Sequence, residues 1–256
     1  MNWSVQKQTL YIALAIVVVG TIVGVPVYFK FFKKVPNCTD GILNQDEKQV
    51  DCGGVCAKLC ADESKMPIVS FERLFKSAKG VYSVVAMVEN INREAYSKEV
   101  GYIFNLYDEN NVLLVQKQGK TRILPAREFP VFEYGLYTGE RIPKKVTFSF
   151  LGDFDWTRGV VDAPKIDVLG EKVFEKDGLP RIEASLINRE VYRLEKFPVY
   201  ALIYDAEGNL FAASQTYVEL LPAKGEVKVV FGWNDRFEKE PSKIDIIPEP
   251  PVRGME

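Results

Sequence analysis

From about residue 67 onward this chain is written twice. Ile91-Asn92-Arg93-Glu94-Ala95-Tyr96 returns as Ile187-Asn188-Arg189-Glu190-Val191-Tyr192, Tyr107-Asp108 as Tyr204-Asp205, and Leu124-Pro125-Ala126 as Leu221-Pro222-Ala223. The offset is 96 residues at the first match and 97 at the other two, and the 97 offset also aligns Pro67 with Pro164 and Gly135 with Gly232. At 98 it aligns Pro143 with Pro241 and Lys145 with Lys243. A period near a hundred residues is too long for one turn of a solenoid and fits a whole small domain. The expected division is a first domain over 65–152, a linker over 153–163, a second domain over 164–250 and a tail over 251–256. Duplicated domains space, present or bind more often than they catalyse.

The two copies read as β-structure. Residues 81–90 (VYSVVAMVEN), 101–108 (GYIFNLYD) and 112–117 (VLLVQK) are rich in β-branched and aromatic residues with near-alternation. Asp108-Glu109-Asn110-Asn111, and Asp205-Ala206-Glu207-Gly208-Asn209 in the second copy, place turn formers between apolar runs, a hairpin signal. Further strands are expected near 128–134, 145–150, 226–233 and 243–247, with 67–71 and 164–168 opening each domain at an edge. Short strands with no amphipathic helical stretch between them predict a mainly β fold of two antiparallel sandwiches.

Composition narrows the chemistry. The chain has no histidine and a net charge of -2. Histidine is the commonest general base and transition-metal ligand, so His-dependent triads and zinc hydrolase sites are excluded. Lys and Arg are scattered among Asp and Glu, without the basic stripe that phosphate neutralisation needs, so nucleic acid is not an expected partner. A carboxylate-based hydrolase would need two carboxyls facing one cleft, which two small sandwiches rarely provide. No catalytic residue is assigned.

Residues 10–29 (LYIALAIVVVGTIVGVPVYF) carry no charge. At about 1.5 Å per residue they span roughly 30 Å, the thickness of a bilayer's hydrocarbon core. Tyr11 and Tyr28 stand near the two ends, where amphipathic rings favour the headgroup region. Phe29-Lys30-Phe31-Phe32-Lys33-Lys34 follows in place of a small-x-small cleavage site, so residues 1–35 are read as a tail and an uncleaved single-span anchor. Lys30, Lys33 and Lys34 after the helix outnumber Lys7 before it, which on a positive-inside count keeps the rest of the chain cytoplasmic. The cysteines argue the other way.

All four cysteines, Cys38, Cys52, Cys56 and Cys60, fall within the module 36–64. A dense cysteine cluster without histidine reads as two disulfides, which persist in oxidising compartments, and the repeats are therefore expected outside the cytoplasm. A polar segment this small has little apolar surface to bury, and each bridge supplies about 3 kcal/mol. Three pairings are open. Tetrathiolate zinc fits poorly, since the intervals lack paired C-x2-C knuckles. A calcium site built from Asp40, Asn44, Glu47 and Asp51 is the other alternative, set against solvated turn formers and caps. Gly41, Gly53 and Gly54 are expected at positive-φ turns.

Two stretches resemble known families. C-x-D-G-x-x-N-x-x-E-x-x-x-D-C-G-G-x-C, here Cys38 to Cys56, is similar to a short cysteine motif of bacterial surface proteins, which usually closes with C-x-x-C where this chain has Cys56-x-x-x-Cys60. That resemblance implies an extracellular location. Phe104-Asn105-Leu106-Tyr107-Asp108 resembles the signature of the FxLYD family of immunoglobulin-like domains, in the context Val88-Glu89-Asn90 and Leu124-Pro125-Ala126. The second copy reads Tyr200-Ala201-Leu202-Ile203-Tyr204-Asp205, with one residue more between Leu and Tyr. Late-embryogenesis-abundant type 2 domains have a similar fold. The resemblance implies fold over about 67–248 and no enzyme activity.

The duplicated I-N-R-E-x-Y is the candidate repeated contact, weighed against a strand-ending corner in which Asn makes a side-chain turn and Arg-Glu is solvated. Tyr107 and Tyr204 are expected to face inward, Asp108 and Asp205 to start turns, and Trp156 to wedge the two domains together. The function these readings favour is a non-enzymatic, single-pass surface protein held to the membrane through residues 10–29. It presents two sandwiches for binding, adhesion or envelope structure, with a protein or glycan partner left unnamed. An accessory subunit of a membrane-associated secretion or pilus-type complex, pairing through sheet edges, is the alternative.

Overall fold

The computed structural model describes residues 3–31 and 37–253. Phe32, Lys33, Lys34, Val35 and Pro36, to which the charge count and the cleavage argument appealed, lie outside the described residues. The chain divides into two compact units, Met1–Cys56 and Ala57–Glu256.

In the first unit, α1 (Trp3–Phe31) is apolar on every side. Its segment Lys7–Phe29 has a mean hydropathy of 2.5 and buries none of its surface in protein. Such a helix meets the length and composition needed to cross a bilayer. Thr21 is accommodated because its hydroxyl donates to the Val17 and Val18 carbonyls at 3.0 and 2.9 Å. Lys7 sits 3.8 Å from the Trp3 ring centroid, a cation–π pair near the helix start.

Among the described residues the regular structure of the second unit is β-strand. Its strands are β1 (Ile68–Ala78), β2 (Val81–Asn90), β3 (Ala95–Tyr107), β4 (Leu113–Ile123), β5 (Arg127–Tyr137), β6 (Lys145–Leu151) and β7 (Thr157–Arg158), then β8 (Ile166–Lys176), β9 (Leu179–Asn188), β10 (Leu194–Tyr204), β11 (Leu210–Leu221), β12 (Glu226–Gly232) and β13 (Lys243–Pro248). The first copy pairs them as β1-β2-β5 and β4-β3-β6, with β7 added to β3. The second repeats the order as β8-β9-β12 and β11-β10-β13. Every pairing is antiparallel, and the duplication read from the sequence is a duplication of topology.

Each sandwich closes on its own core. Val84, Ala86, Val88, Tyr102, Phe104, Leu106, Ile123 and Phe148 fill the first; Ile182, Leu186, Phe197, Val199, Ala201, Ile203 and Phe231 fill the second. The words of the resemblance acquire positions from this alternation. Phe104 and Leu106 point inward and are fully buried. Tyr107 therefore lies on the opposite face, against the expectation that it faces inward, and Tyr204 likewise leaves its own core. No residue is inserted in the second copy. Its β10–β11 pairing puts Ala201 at the place of Phe104 and Ile203 at that of Leu106.

Trp156 does not wedge the two sandwiches together. It is buried in the first core, stacked on Phe154 at 5.1 Å, and its carbonyl accepts from Leu59 N–H at 2.9 Å. The expected linker 153–163 thus begins as part of the first sandwich, because an indole this large is most stable with its body buried.

What joins the sandwiches is a third apolar cluster. Val85, Met87 and Phe132 leave the outer face of β1-β2-β5 and meet Tyr200, Leu202, Leu210 and Ala213 on the outer face of β11-β10-β13. Phe132 and Tyr200 contact ring to ring at 5.9 Å. β2 and β10 are consequently buried on both faces, as their continuous runs Val84-Val85-Ala86-Met87-Val88 and Val199-Tyr200-Ala201-Leu202-Ile203 require. The two outermost faces are polar at the matching places. Glu183 and Ser185 stand where the first copy has Val85 and Met87, and Asn105 and Gln116, hydrogen-bonded at 2.8 Å, stand where the second has Leu202 and Ala213. The stack is capped at two.

The tail is docked as well. Arg122 donates to the carbonyls of Glu249 (3.0 Å) and Pro250, and Arg127 to that of Pro248 at 3.5 Å. Val252 is buried, and the Arg253 guanidinium lies 3.4 Å from the Tyr192 ring centroid. Pro248, Pro250 and Pro251 have no N–H with which to extend a ladder, and the two arginines supply donors to the carbonyls of this segment.

Leu202→Asn, which copies the first sandwich's residue into the seam, should destabilise the protein by about 2–4 kcal/mol. Chemical denaturation monitored by Trp156 and Trp233 fluorescence should show the wild-type transitions of the two sandwiches coincident and those of the variant separated. Wild-type transitions that are already separate would show that the seam does not couple them.

Candidate functional site: the groove between the sandwiches

The duplicated corner is structural. Asn90 Nδ2 donates to the Ala95 and Leu124 carbonyls at 2.9 and 2.8 Å. Asn188 Nδ2 does the same to Tyr192 and Pro222 at 2.8 and 2.9 Å. Asn188 is therefore the partner of Asn90, 98 residues away, and the I-N-R-E-x-Y words lie two places out of structural register. The residue two further on ties down the entering chain in both copies. Asn92 Oδ1 accepts from Lys65 N–H at 2.8 Å, and Glu190 Oε1 from Lys165 N–H at 2.9 Å. Arg189 is exposed and pairs with Asp167 at 2.5 Å.

Asp108 and Asp205 start turns as expected. Asp108 Oδ1 accepts from the Asn110 and Val112 amides, both at 2.9 Å, and Asp205 Oδ1 from Asn209 N–H at 2.7 Å. Each also meets a cation from the loop after the fifth strand of its copy, Arg141 at 4.0 Å and Lys239 in hydrogen-bond contact. The Lys239 ammonium, aided by Asn209, holds the Asp205 carboxyl below the usual carboxylate range.

The cysteine module carries the sequence-assigned ligands. Cys38 and Cys56 are bridged, Cys52 and Cys60 are disulfide-bonded too, and no free thiol is left. Gly41, Gly53 and Gly54 have φ of 73, 75 and 57° as expected. A Cβ on Gly54 would lie 1.9 Å from the Asp46 carbonyl oxygen, so the turn needs glycine twice over. The acidic residues are occupied with the backbone. Asp40 Oδ1 accepts from Ile42 N–H (2.9 Å) and from Asn44 Nδ2, Asp51 from Gly41 N–H, and Glu47 Oε2 from the Asn44 and Asp51 amides at 3.3 and 3.2 Å. Among the described residues the acidic and sulfur atoms that converge within 4.8 Å belong to Cys38, Glu47 and Cys56. Two of those atoms are disulfide sulfurs, which lack the thiolate a metal requires. Asp40 and Asp51 stand outside that group; Asp40 is linked to Asn44 Nδ2, and Glu47 Oε2 to the Asn44 and Asp51 amides.

A groove of about 830 Å³ in the second unit lies at the open end of the seam and falls within the size range of ligand sites, roughly 300–1,000 Å³. Phe75, Phe132 and Ala213 belong both to the seam and to its lining. One wall is aromatic. Trp233 and Phe211 each meet Phe237 edge to face, at 5.0 and 5.6 Å, while Tyr134 and Tyr217 stand exposed in the lining. The loop carrying that wall is held at three points: Asn234 Nδ2 to the Ser77 carbonyl at 3.1 Å, Arg236 Nε to the Gly178 carbonyl at 3.3 Å, and Lys239 to Asp205. Trp233 Nε1 is buried without an acceptor. Ser77, Ser83, Ser214 and Gln215 add hydroxyls and an amide, and Lys76, Asp235, Arg236, Glu238 and Lys239 also line the groove, so it offers ring stacking, apolar contact, hydrogen bonds and charges of both signs. Sequence reading passed over these residues, although Phe231-Gly232-Trp233 with Phe237 is a dense aromatic word.

No family model and no curated protein matches the chain. Among solved structures, the crystal structure of red sea bream transglutaminase aligns with 73% of this chain at 12% identity and a TM-score of 0.21. The chain spans about 30% of that protein's length, and a likeness at this score carries no statement about function.

Asn188→Ala should cost about 2–3 kcal/mol, since it strands buried carbonyls, whereas Arg189→Ala should change stability by less than about 0.5 kcal/mol. Equal losses in thermal melts would mean that the Arg-Glu pair carries the corner. The depressed Asp205 carboxyl contributes stability that is full above the unfolded aspartate pKa and is lost as pH falls through its lower folded value. Asp205→Asn should therefore lower the melting temperature at neutral pH and converge on wild type in strong acid.

Proposed function

We propose that this chain is a non-enzymatic, single-pass membrane protein that holds two immunoglobulin-like sandwiches outside the cytoplasm as one rigid body and binds a partner through the groove at their seam. The observation that carries the reading is the run of four oxidised cysteines following the apolar helix. Disulfides persist where thiols are not kept reduced, and the module has little apolar surface of its own to hold it together. The resemblance of Cys38 to Cys56 to a bacterial surface motif supports the same side of the membrane. The FxLYD resemblance supports the immunoglobulin-like assignment: its Phe and Leu are inward core residues and its Asp organises the hairpin. The groove supports binding because its rings and hydrogen-bonding groups sit on fixed elements.

Alkylation of intact cells without reductant, followed by mass measurement, should leave Cys38, Cys52, Cys56 and Cys60 unmodified. A carbonate wash should leave the full-length chain in the pellet, and removal of residues 1–35 should release it. Four alkylated cysteines would overturn the extracytoplasmic reading, and a mature chain that begins after Lys34 would overturn the anchor.

A further inference from the structure

We infer that the groove takes up an extended peptide segment of a partner protein, which adds as a strand to the free edge of β11. The inference rests on the binding reading above and names its partner's chemistry. β11 is hydrogen-bonded to β10 on one side only. Its consecutive residues 211–217, whose side chains alternate between both faces of the sheet, all line the groove. The strand's edge, rather than a face, therefore borders the cavity and turns unpaired amides and carbonyls toward it.

The duplicated sandwich shows what a protected edge looks like at this position. β4, the counterpart of β11, carries Lys117, Lys120 and Arg122. Lys117 is opposite the buried Phe104 and so points to the inner face, where it meets Glu133 at 3.8 Å. Glu133 in turn accepts from Tyr102 OH at 2.9 Å. An inward charge at a sheet edge is a device against strand addition. In the second copy the corresponding residues are Ser214, Phe231 and Val199, and residues 210–218 carry no charge at all. The protection present in one copy is absent from the other, along the one stretch that opens on an aromatic wall.

The occupant follows from continuity with the seam. Phe75, Phe132 and Ala213 already pack as interface between the sandwiches, and the groove continues that apolar surface past the point where the chain fills it. A single strand matches a recess walled by β1 on one side and by the loop of Trp233 and Phe237 on the other, whereas the edge of a second sandwich would bring its whole sheet with it. The seven residues of β11 that border the groove span about 20 Å, the length of an ordinary strand. Backbone pairing would supply affinity and the aromatic wall would select apolar side chains at alternate positions.

The test uses the full chain in lipid nanodiscs and a capped heptapeptide of alternating valine and threonine. Two isomers of it are N-methylated on one edge or on the other. The unmodified peptide should shift Trp233 fluorescence, a change absent in Trp233→Phe, and should protect amides within 211–217 from hydrogen exchange. One N-methyl isomer should bind at least about tenfold more weakly than the other, since only one edge of an added strand pairs. Ser214→Lys, the residue of the first copy, should weaken the peptide by about tenfold. Equal binding of the two isomers, protection outside β11, or no binding would overturn strand addition. So would protection of the same amides by concentration-dependent self-association, which would make a second copy the occupant. Four alkylated cysteines alongside the expected peptide result would remove the extracytoplasmic reading and leave this inference standing.

Discussion

The seam between β1-β2-β5 and β11-β10-β13 governs the rest of the second unit. Seven buried side chains meet there, and large apolar groups contribute roughly 1.5–3 kcal/mol each when removed from water. The total, roughly 10–20 kcal/mol and an upper bound, is comparable with the whole stability of a small domain. Two sandwiches joined on that scale do not separate and rejoin as beads on a linker. Their sheets stack, and the groove at the seam's open end has walls whose spacing is fixed by packing rather than by a hinge.

The seam also accounts for how the copies diverged. A sandwich needs one apolar face per sheet, and all four sheets have it. Only two sheets need a second, and they are not equivalent sheets: the first copy uses the β2 sheet and the second uses the β10 sheet. At the matching places the unused faces carry Glu183, Ser185, Asn105 and Gln116. The same backbone was thus given opposite polarities at a few positions, enough to make the pair self-limiting, since an array extends only where a further apolar face is exposed.

The sequence conveyed some of this and withheld the rest for physical reasons. Strand content, the apolar helix, the oxidised cysteines and the turn-starting Asp108 and Asp205 come from local pattern and composition, which act within a few residues, and the two-copy architecture comes from the repeat at 96–98 residues. The corner was misaligned because Ile-Asn-Arg-Glu recurs as letters, while hydrogen bonding selects Asn90 and Asn188. The seam was legible in principle. Val84-Val85-Ala86-Met87-Val88 is unbroken rather than alternating, and an unbroken run means burial on both faces. Which partner covers the second face is long-range information that no window holds. The groove is harder still, since its lining comes from β1, β5, β11 and the loop after β12, and only the fold brings Phe75 near Trp233.

Edge protection is where the fold's symmetry and its use part company. Both copies present the same strand at the same sheet edge, and the first spends Lys117, Glu133 and Tyr102 on guarding it. Those groups are costly to keep: burial beside the Glu133 carboxylate raises the Tyr102 phenol far above its ordinary range, and Gly119 must lack a side chain because a Cβ there would lie 2.3 Å from the Tyr102 hydroxyl. The second copy replaces the network with Ser214, Phe231 and Val199, a simpler and more apolar arrangement that packs the core and leaves the edge bare. An unguarded edge on a free surface invites aggregation, so it is tolerable only where access is restricted. The groove provides that restriction, because β1 stands on one side of it and the loop of Trp233 and Phe237 on the other.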